Sequence, residues 1–353
     1  MNRGQYRRIA SRKPSWLVAL CASFSLCVLS GIALGAAGQQ KATAQPHRAW
    51  ENYFGATILP SGRAIVVGDK GLVMISDDHG RTWTRQLLKS GDVNYDLYSA
   101  TFSADGSRGW AVGDHSVIFR TDDHGTSWTE QKAPAGATDA LLKVAVADPQ
   151  TACASGEHGA MVCTSDGGAT WTMQKFHDLC IFDLAFTDPH EGWAVGEFSA
   201  VLHTTDAGKT WKLESGGNVM GKDDPFFAIA FHHGHDGLAV GLTGSSISTA
   251  NGGGNWKPGK VSIDNRSLYA VAPLPDKPDT FYVAGENGVA GLIDNGQVSQ
   301  VHSGTSEAIS SVAFAPQFGI AVGLSGTLLR STDGGQHWQS LNNADLALQT
   351  PGQ

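Results

Sequence analysis

The chain has 353 residues, of which 44 are glycine and only 16% are charged, and its formal net charge is −8. Abundant glycine with little charge suits many tight turns and short strands. The acidic balance, with no basic stripe to neutralise phosphates, excludes nucleic acid as a partner.

In chain order, residues 1–44 come first and read as a targeting segment. Arg3, Arg7, Arg8, Arg12 and Lys13 precede a continuous apolar and small-residue run from Trp16 to Leu34. A small-x-small site, Ala42-Thr43-Ala44, stands before Gln45. The segment is either a cleaved signal peptide or, at roughly 19 apolar residues, a retained anchor. With the anchor retained, the protein is membrane-associated. Either way the positive-inside bias carries the remainder across the membrane, to a periplasm or, in a phototroph, a thylakoid lumen. Arg7-Arg8 with Ile9-Ala10-Ser11 makes a weak twin-arginine match, and Cys21 and Cys27 lack a lipobox, so lipidation is not expected. The leader holds six Lys or Arg and no acid, so the formal charge beyond it falls from −8 to −14. An acidic surface of that kind steers basic partners.

From about residue 53 a repeat takes over. Strand A is an alternating apolar run, as in Tyr98-Ser99-Ala100-Thr101-Phe102, Leu184-Ala185-Phe186 and Ile229-Ala230-Phe231. Strand B reads Ile65-Val66-Val67-Gly68, Trp110-Ala111-Val112-Gly113, Cys153-Ala154-Ser155-Gly156, Trp193-Ala194-Val195-Gly196, Leu238-Ala239-Val240-Gly241, Tyr282-Val283-Ala284-Gly285 and Ile320-Ala321-Val322-Gly323. Strand C ends at an Asp box, [Ser/Thr]-x-Asp-x-Gly-x-[Thr/Ser]-Trp, and strand D starts at its Trp. The boxes run Ser76–Trp83, Thr121–Trp128, Thr164–Trp171, Thr204–Trp211, Thr249–Trp256 and Ser331–Trp338. A worn seventh copy sits at Asp294-Asn295-Gly296, with Ser299 where Trp belongs. Units of about 40–45 residues are a propeller period. The expected fold is all-β: a seven-bladed β-propeller of four-stranded antiparallel blades, filling residues 45–353 as one domain. How the ring closes is not written in the repeat.

The box residues have local roles. Asp accepts backbone N–H groups one or two residues on, Gly allows positive φ, and Trp anchors the next strand. Asp78, Asp123, Asp166, Asp206 and Asp333 therefore read as staples, with His79 and His124 solvated beside them. The residue after each strand-B Gly is Asp69, Asp114, Glu157, Glu197, Leu242, Glu286 or Leu324. The B–C turns share a face with the D–A connections, which add Asp92, Asp96, Asp139, Asp178, Asp223 and Asp224. Asp69, Asp114, Glu157, Glu197 and Glu286 are thus the candidate partner-binding residues of an acidic top face. The other reading is that these acids satisfy turn N–H groups. Cys153 and Cys163 stand at equal distances from the turn at His158 and are either a disulfide or two small buried hydrophobes. Cys180 is then left over.

No catalytic constellation is marked. A sialidase-like site needs three arginines on the substrate carboxylate and a Tyr activated by a Glu. The arginines after residue 44 are Arg48, Arg63, Arg81, Arg85, Arg108, Arg120, Arg266 and Arg330, with no Arg-Ile-Pro segment. His232-His233-Gly234-His235-Asp236 falls in a tight A–B turn that splays consecutive side chains, so no metal and no cofactor are expected.

The stretches Gly109–Trp128 and Gly192–Trp211, with Gly-Trp-Ala-Val-Gly and then seven residues to a box, resemble the photosystem II stability/assembly factor family. The resemblance spans all seven units. It implies a non-enzymatic propeller on the exported or lumenal side of a membrane, helping to assemble a membrane complex by holding a precursor subunit. Related sequences occur in bacteria without a photosystem. The expected function is binding of a protein client; the alternative is a carbohydrate-active propeller, a sialidase-like hydrolase or a lectin.

Overall fold

A computed structural model of the chain describes residues 51–176, 179–215 and 223–341. The targeting segment at 1–44 lies outside them. Among the described residues, twenty-eight strands form seven four-stranded antiparallel sheets, each built from four consecutive strands in the order A-B-C-D. Blade 1 is Tyr53–Ile58, Ala64–Gly68, Leu72–Ser76 and Thr84–Leu87. Blade 7 ends the ring with Ile309–Ala315, Phe318–Gly323, Leu328–Ser331 and Gln339–Ser340. The A strands touch one another in a closed cycle, with that of blade 7 beside that of blade 1, so they surround the axis.

Ring closure exchanges no strand among the described residues. Ser311 Oγ accepts the Ala56 N–H at 3.2 Å, Ser310 Oγ donates to the Tyr53 carbonyl at 2.8 Å, and Arg330 Nε donates to the His79 carbonyl at 2.6 Å. Tyr53, Val66, Leu72 and Trp83 of blade 1 pack with Phe318, Ile320 and Leu328 of blade 7. The seam resembles the internal ones. Ser99 Oγ accepts the Val144 N–H at 3.3 Å, and Asp183 Oδ2 accepts the Ile229 N–H at 3.0 Å.

Each box closes a C–D turn, but its Asp reaches further than expected: it accepts the backbone N–H four residues on rather than one or two, because the turn folds that N–H back over the carboxylate. In blade 4, Asp206 Oδ1 accepts the Thr210 N–H at 2.8 Å and Oδ2 its hydroxyl at 2.6 Å. Thr204 Oγ1 donates to Asp206 at 2.9 Å and accepts the Gly208 N–H at 3.0 Å. Asn251 keeps the same acceptor role toward the Asn255 N–H at 3.0 Å.

The box also joins blades, which accounts for the bulky residue opening strand B. A Cβ added at Gly168 would stand 3.0 Å from Trp110 Nε1 of the preceding blade. Gly125, Gly208, Gly253, Gly335 and Gly80 likewise face Ile65, Cys153, Trp193, Tyr282 and Ile320. Trp110 is fully buried there and meets Trp171 edge-on, with centroids 6.4 Å apart. At about 25 cal/mol per Å² an indole burying roughly 150–250 Å² contributes about 4–6 kcal/mol gross.

One further local expectation is corrected: His79 is not simply solvated, since its ring packs 5.2 Å from Phe318 across the seam. His124 is exposed as expected, with Nδ1 3.0 Å from the Gly106 carbonyl. In blade 6 the worn box is a two-residue hairpin, with Asn295 and Gly296 at φ 48° and 77° between paired Asp294 and Gln297.

Candidate partner-binding face

The B–C turns lie at the opposite end of every blade from the boxes. Each is built on one contact repeated seven times. The residue after the strand-B Gly donates its N–H to the carbonyl of the residue preceding strand A: Asp69 to Asn52, Asp114 to Asp96, Glu157 to Ala140, Glu197 to Cys180, Leu242 to Pro225, Glu286 to Ser267 and Leu324 to Ala308, at 2.9–3.1 Å. That carbonyl comes so close that a Cβ on Gly68, Gly113 or any equivalent would overlap it. Close approach, with φ extended near −167° in blade 1, is why glycine stands there.

The carboxylates return a bond along the same seam. Asp69 accepts the Asn52 N–H at 2.8 Å, Glu197 the Cys180 N–H at 2.9 Å and Glu286 the Ser267 N–H at 3.1 Å. In blade 5, where Leu242 replaces the acid, the residue opposite is Pro225, which has no N–H to satisfy. These three acids therefore hold strand A, as the turn-satisfying reading proposes.

The acids also form a field. Burial raises the Asp69 carboxyl against the Asn52 N–H, and Asp96 and Glu51 raise it further. Burial likewise raises Asp96 and Glu157, and Asp114 adds to both. Tyr98 is pushed far up by burial and then by Asp114, Asp96, Glu157 and Asp69 together. Asp69, Asp114 and Glu157 thus act electrostatically on the same tyrosine, whereas Glu286 acts on Tyr269. Asp178 lies outside the described residues.

The feature that alternation does not reveal is a β-bulge near the start of strand A in every blade. The pairing skips one residue each time: Phe54, Tyr98, Leu142, Phe182, Phe227, Tyr269 and Ser310. A bulge re-aims its side chain. Five of the seven are aromatic, at the top ends of the strands that surround the axis. Phe54 meets Tyr98 with centroids 5.2 Å apart; Phe182 meets Phe227 at 5.2 Å, and Phe227 meets Tyr269 at 5.6 Å. Phe54 and Tyr98 are buried in a small cluster with Ala140, flanked by Leu142 and Leu324, while Phe182, Phe227 and Tyr269 are half-buried. The sequence does carry a signal: an apolar doublet, such as Leu97-Tyr98 or Phe226-Phe227, before the alternation begins.

Away from this face, Cys153 and Cys163 are directly paired across strands B and C of blade 3, with sulfurs at disulfide distance. Cys180 is buried.

The profile of the family described as "Photosynthesis system II assembly factor YCF48" matches residues 58–175 and 175–267, more than half of the chain. The chain belongs to this family. Among solved structures, it is similar to one described as "YCF48 bound to D1 peptide", at 21% identity and a TM-score of 0.64, covering 80% of this chain and 94% of that one. A second, YCF48 from Cyanidioschyzon merolae, is 18% identical with a TM-score of 0.48, covering 84% and 86%. No curated protein matches the chain in sequence. The likeness to the first of these structures is one of fold, and the family membership rests on the sequence profile.

Proposed function

We propose that the protein is an exported, non-enzymatic assembly factor whose top face holds a protein client, a subunit of a membrane complex. Family membership supports the class of function, and a similar fold described as bound to a D1 peptide supports a peptide segment as the bound element. The observation that carries the choice of face is the set of bulged residues: five of the seven are aromatic, all at the ends of the A strands nearest the B–C turns. The leader and the Cys153–Cys163 pair support an exported location.

The carbohydrate-active alternative is not favoured, because the arginines it would need are employed elsewhere. Arg63 binds Asp77 and the His124 carbonyl, Arg108 binds Asp122 and the Pro149 carbonyl, and Arg120 binds Asp122 and the Gly167 carbonyl. Arg85 pairs with Glu51. These are clamps on blade edges, not a cluster gripping one carboxylate.

The test is affinity capture from detergent-solubilised membranes of the source organism, with identification of the retained subunit. Wild type and an A–B turn variant, Asp276→Asn, should retain one membrane-complex subunit, and Phe227→Ala should lose it. Equal retention by all three would contradict the top-face reading.

A further inference from the structure

We infer that the outer edge of blade 6 is a self-association site, where strand D of one copy pairs antiparallel with strand D of a second copy and joins two blades into one sheet. The site lies on the rim of the ring and stands apart from the top-face reading.

Blade 6 is the blade whose box has eroded, and its outer strand differs from the others. It runs Gln297–His302, six residues, whereas among the described residues the other outer strands have two to four. Edge strands ordinarily avoid pairing by being short or by carrying charge or proline. The rest of the ring complies. Arg85, Glu130, Lys175 and Lys212 charge the outer strands of blades 1 to 4, Lys257 and Pro258 guard that of blade 5, and that of blade 7 has two residues. Gln-Val-Ser-Gln-Val-His carries no Lys, Arg, Asp, Glu or Pro, and Val298 is exposed. Its pairing with strand C runs unbroken from Val289↔His302 to Asp294↔Gln297, so no bulge twists the edge away.

The hairpin also fixes which groups face outward. Asn295 and Gly296 form a two-residue turn with both φ positive, which makes Asp294 and Gln297 a hydrogen-bonded pair. Alternation then turns the N–H and C=O of Gln297, Ser299 and Val301 toward strand C, and those of Val298, Gln300 and His302 toward solvent. Two such edges match one another. With Gln300 opposite the partner's Gln300, Val298 stands opposite the partner's His302, and the outward residues exchange on the order of six backbone hydrogen bonds. No like charges oppose each other in this register. The self-match selects a second copy as the occupant. Because the contact is isologous and uses the same edge of both copies, association stops at a two-fold dimer.

The test is sedimentation equilibrium of the purified protein from about 1 to 500 µM. Its weight-average mass should rise from one chain toward two. Gln300→Pro removes the central outward N–H without touching a bond to strand C, and Val298→Lys charges the edge. Each should shift dimerisation to at least tenfold higher concentration. Leu213→Lys, at an exposed apolar residue on the outer strand of blade 4, should dimerise like wild type. Cross-linking reads the register: oxidation of a mixture of Ser299→Cys and Val301→Cys proteins should link them across a non-hydrogen-bonded pair, and Ser299→Cys alone should link at least fivefold less. Thermal melts confirm that each variant folds. A wild type that stays monomeric, undiminished association in both edge variants, or an equal loss in Leu213→Lys would overturn the inference. So would Ser299→Cys linking to itself as readily as to Val301→Cys.

Discussion

At the scale of single residues, the boxes show why a carboxylate recurs in a solvent-facing turn. Thr170 donates hydroxyl and N–H to Asp166, holding its carboxyl at about 2, and Thr164 helps. Asp78 is also held at about 2, because the Thr82 donors and Ser76 outweigh a desolvation that acts the other way. The folded pKa lies below the unfolded value near 3.9, so this stabilisation is present above about pH 4 and is lost as pH falls through about 2. Asp206→Ala should lower stability by about 1–3 kcal/mol in chemical denaturation at pH 7. Asp206→Asn should lose less, since Asn251 fills this role in blade 5, and its unfolding should depend less on pH between 4 and 2. The roles of Asp, Gly and Trp in the box were legible in the sequence because they act within eight residues. The reason for Gly168 was only half legible: positive φ is set by the turn, but the wedge of Trp110 comes from the preceding blade.

Strands and turns present a different balance. Seven blades and their strand order could be read from spacing, and the hairpin at Asn295-Gly296 marks where one box has eroded. The bulges could not be read that way. Period-2 scanning begins after the doublet, so Phe182, Phe227 and Tyr269 look like ordinary strand residues until pairing shows the skipped position. Nor could the double role of the acids be separated, because the partners of Glu197 and Asp69 lie 17 residues upstream in both cases. Pro225 and Leu242 turn this into a prediction. Pro225→Ala restores an N–H opposite a leucine and should cost about 1 kcal/mol, and adding Leu242→Glu should recover most of it. A thermal-melt double-mutant cycle reads the coupling; strict additivity would contradict the seam described here.

On the scale of the whole molecule, closure among the described residues rests on side chains and packing rather than on an exchanged strand. The Ser311–Ala56 and Arg330–His79 bonds and the Tyr53–Phe318 cluster carry it, none of which the repeat announces. Arg330→Ala should therefore loosen the blade 7–blade 1 seam, seen as faster amide exchange at Gly80 and Ala56 than at equivalent positions in blades 4 and 5. Elsewhere in the ring, denatured protein should show two more titratable thiols with reductant than without, if Cys153 and Cys163 are joined. Reduction should then lower stability by about 3 kcal/mol for a loop this short.

The central claim is that the client sits on the top-face axial mouth and not on the box face. Hydrogen–deuterium exchange of the protein with and without its captured client subunit tests this most directly. Protection should fall on the starts of the A strands around Tyr98, Phe182, Phe227 and Tyr269 and on the B–C turns at Asp69, Asp114 and Glu157, with the Asp boxes unchanged. Protection confined to the boxes and A–B turns, with the axial mouth unaltered, would contradict it.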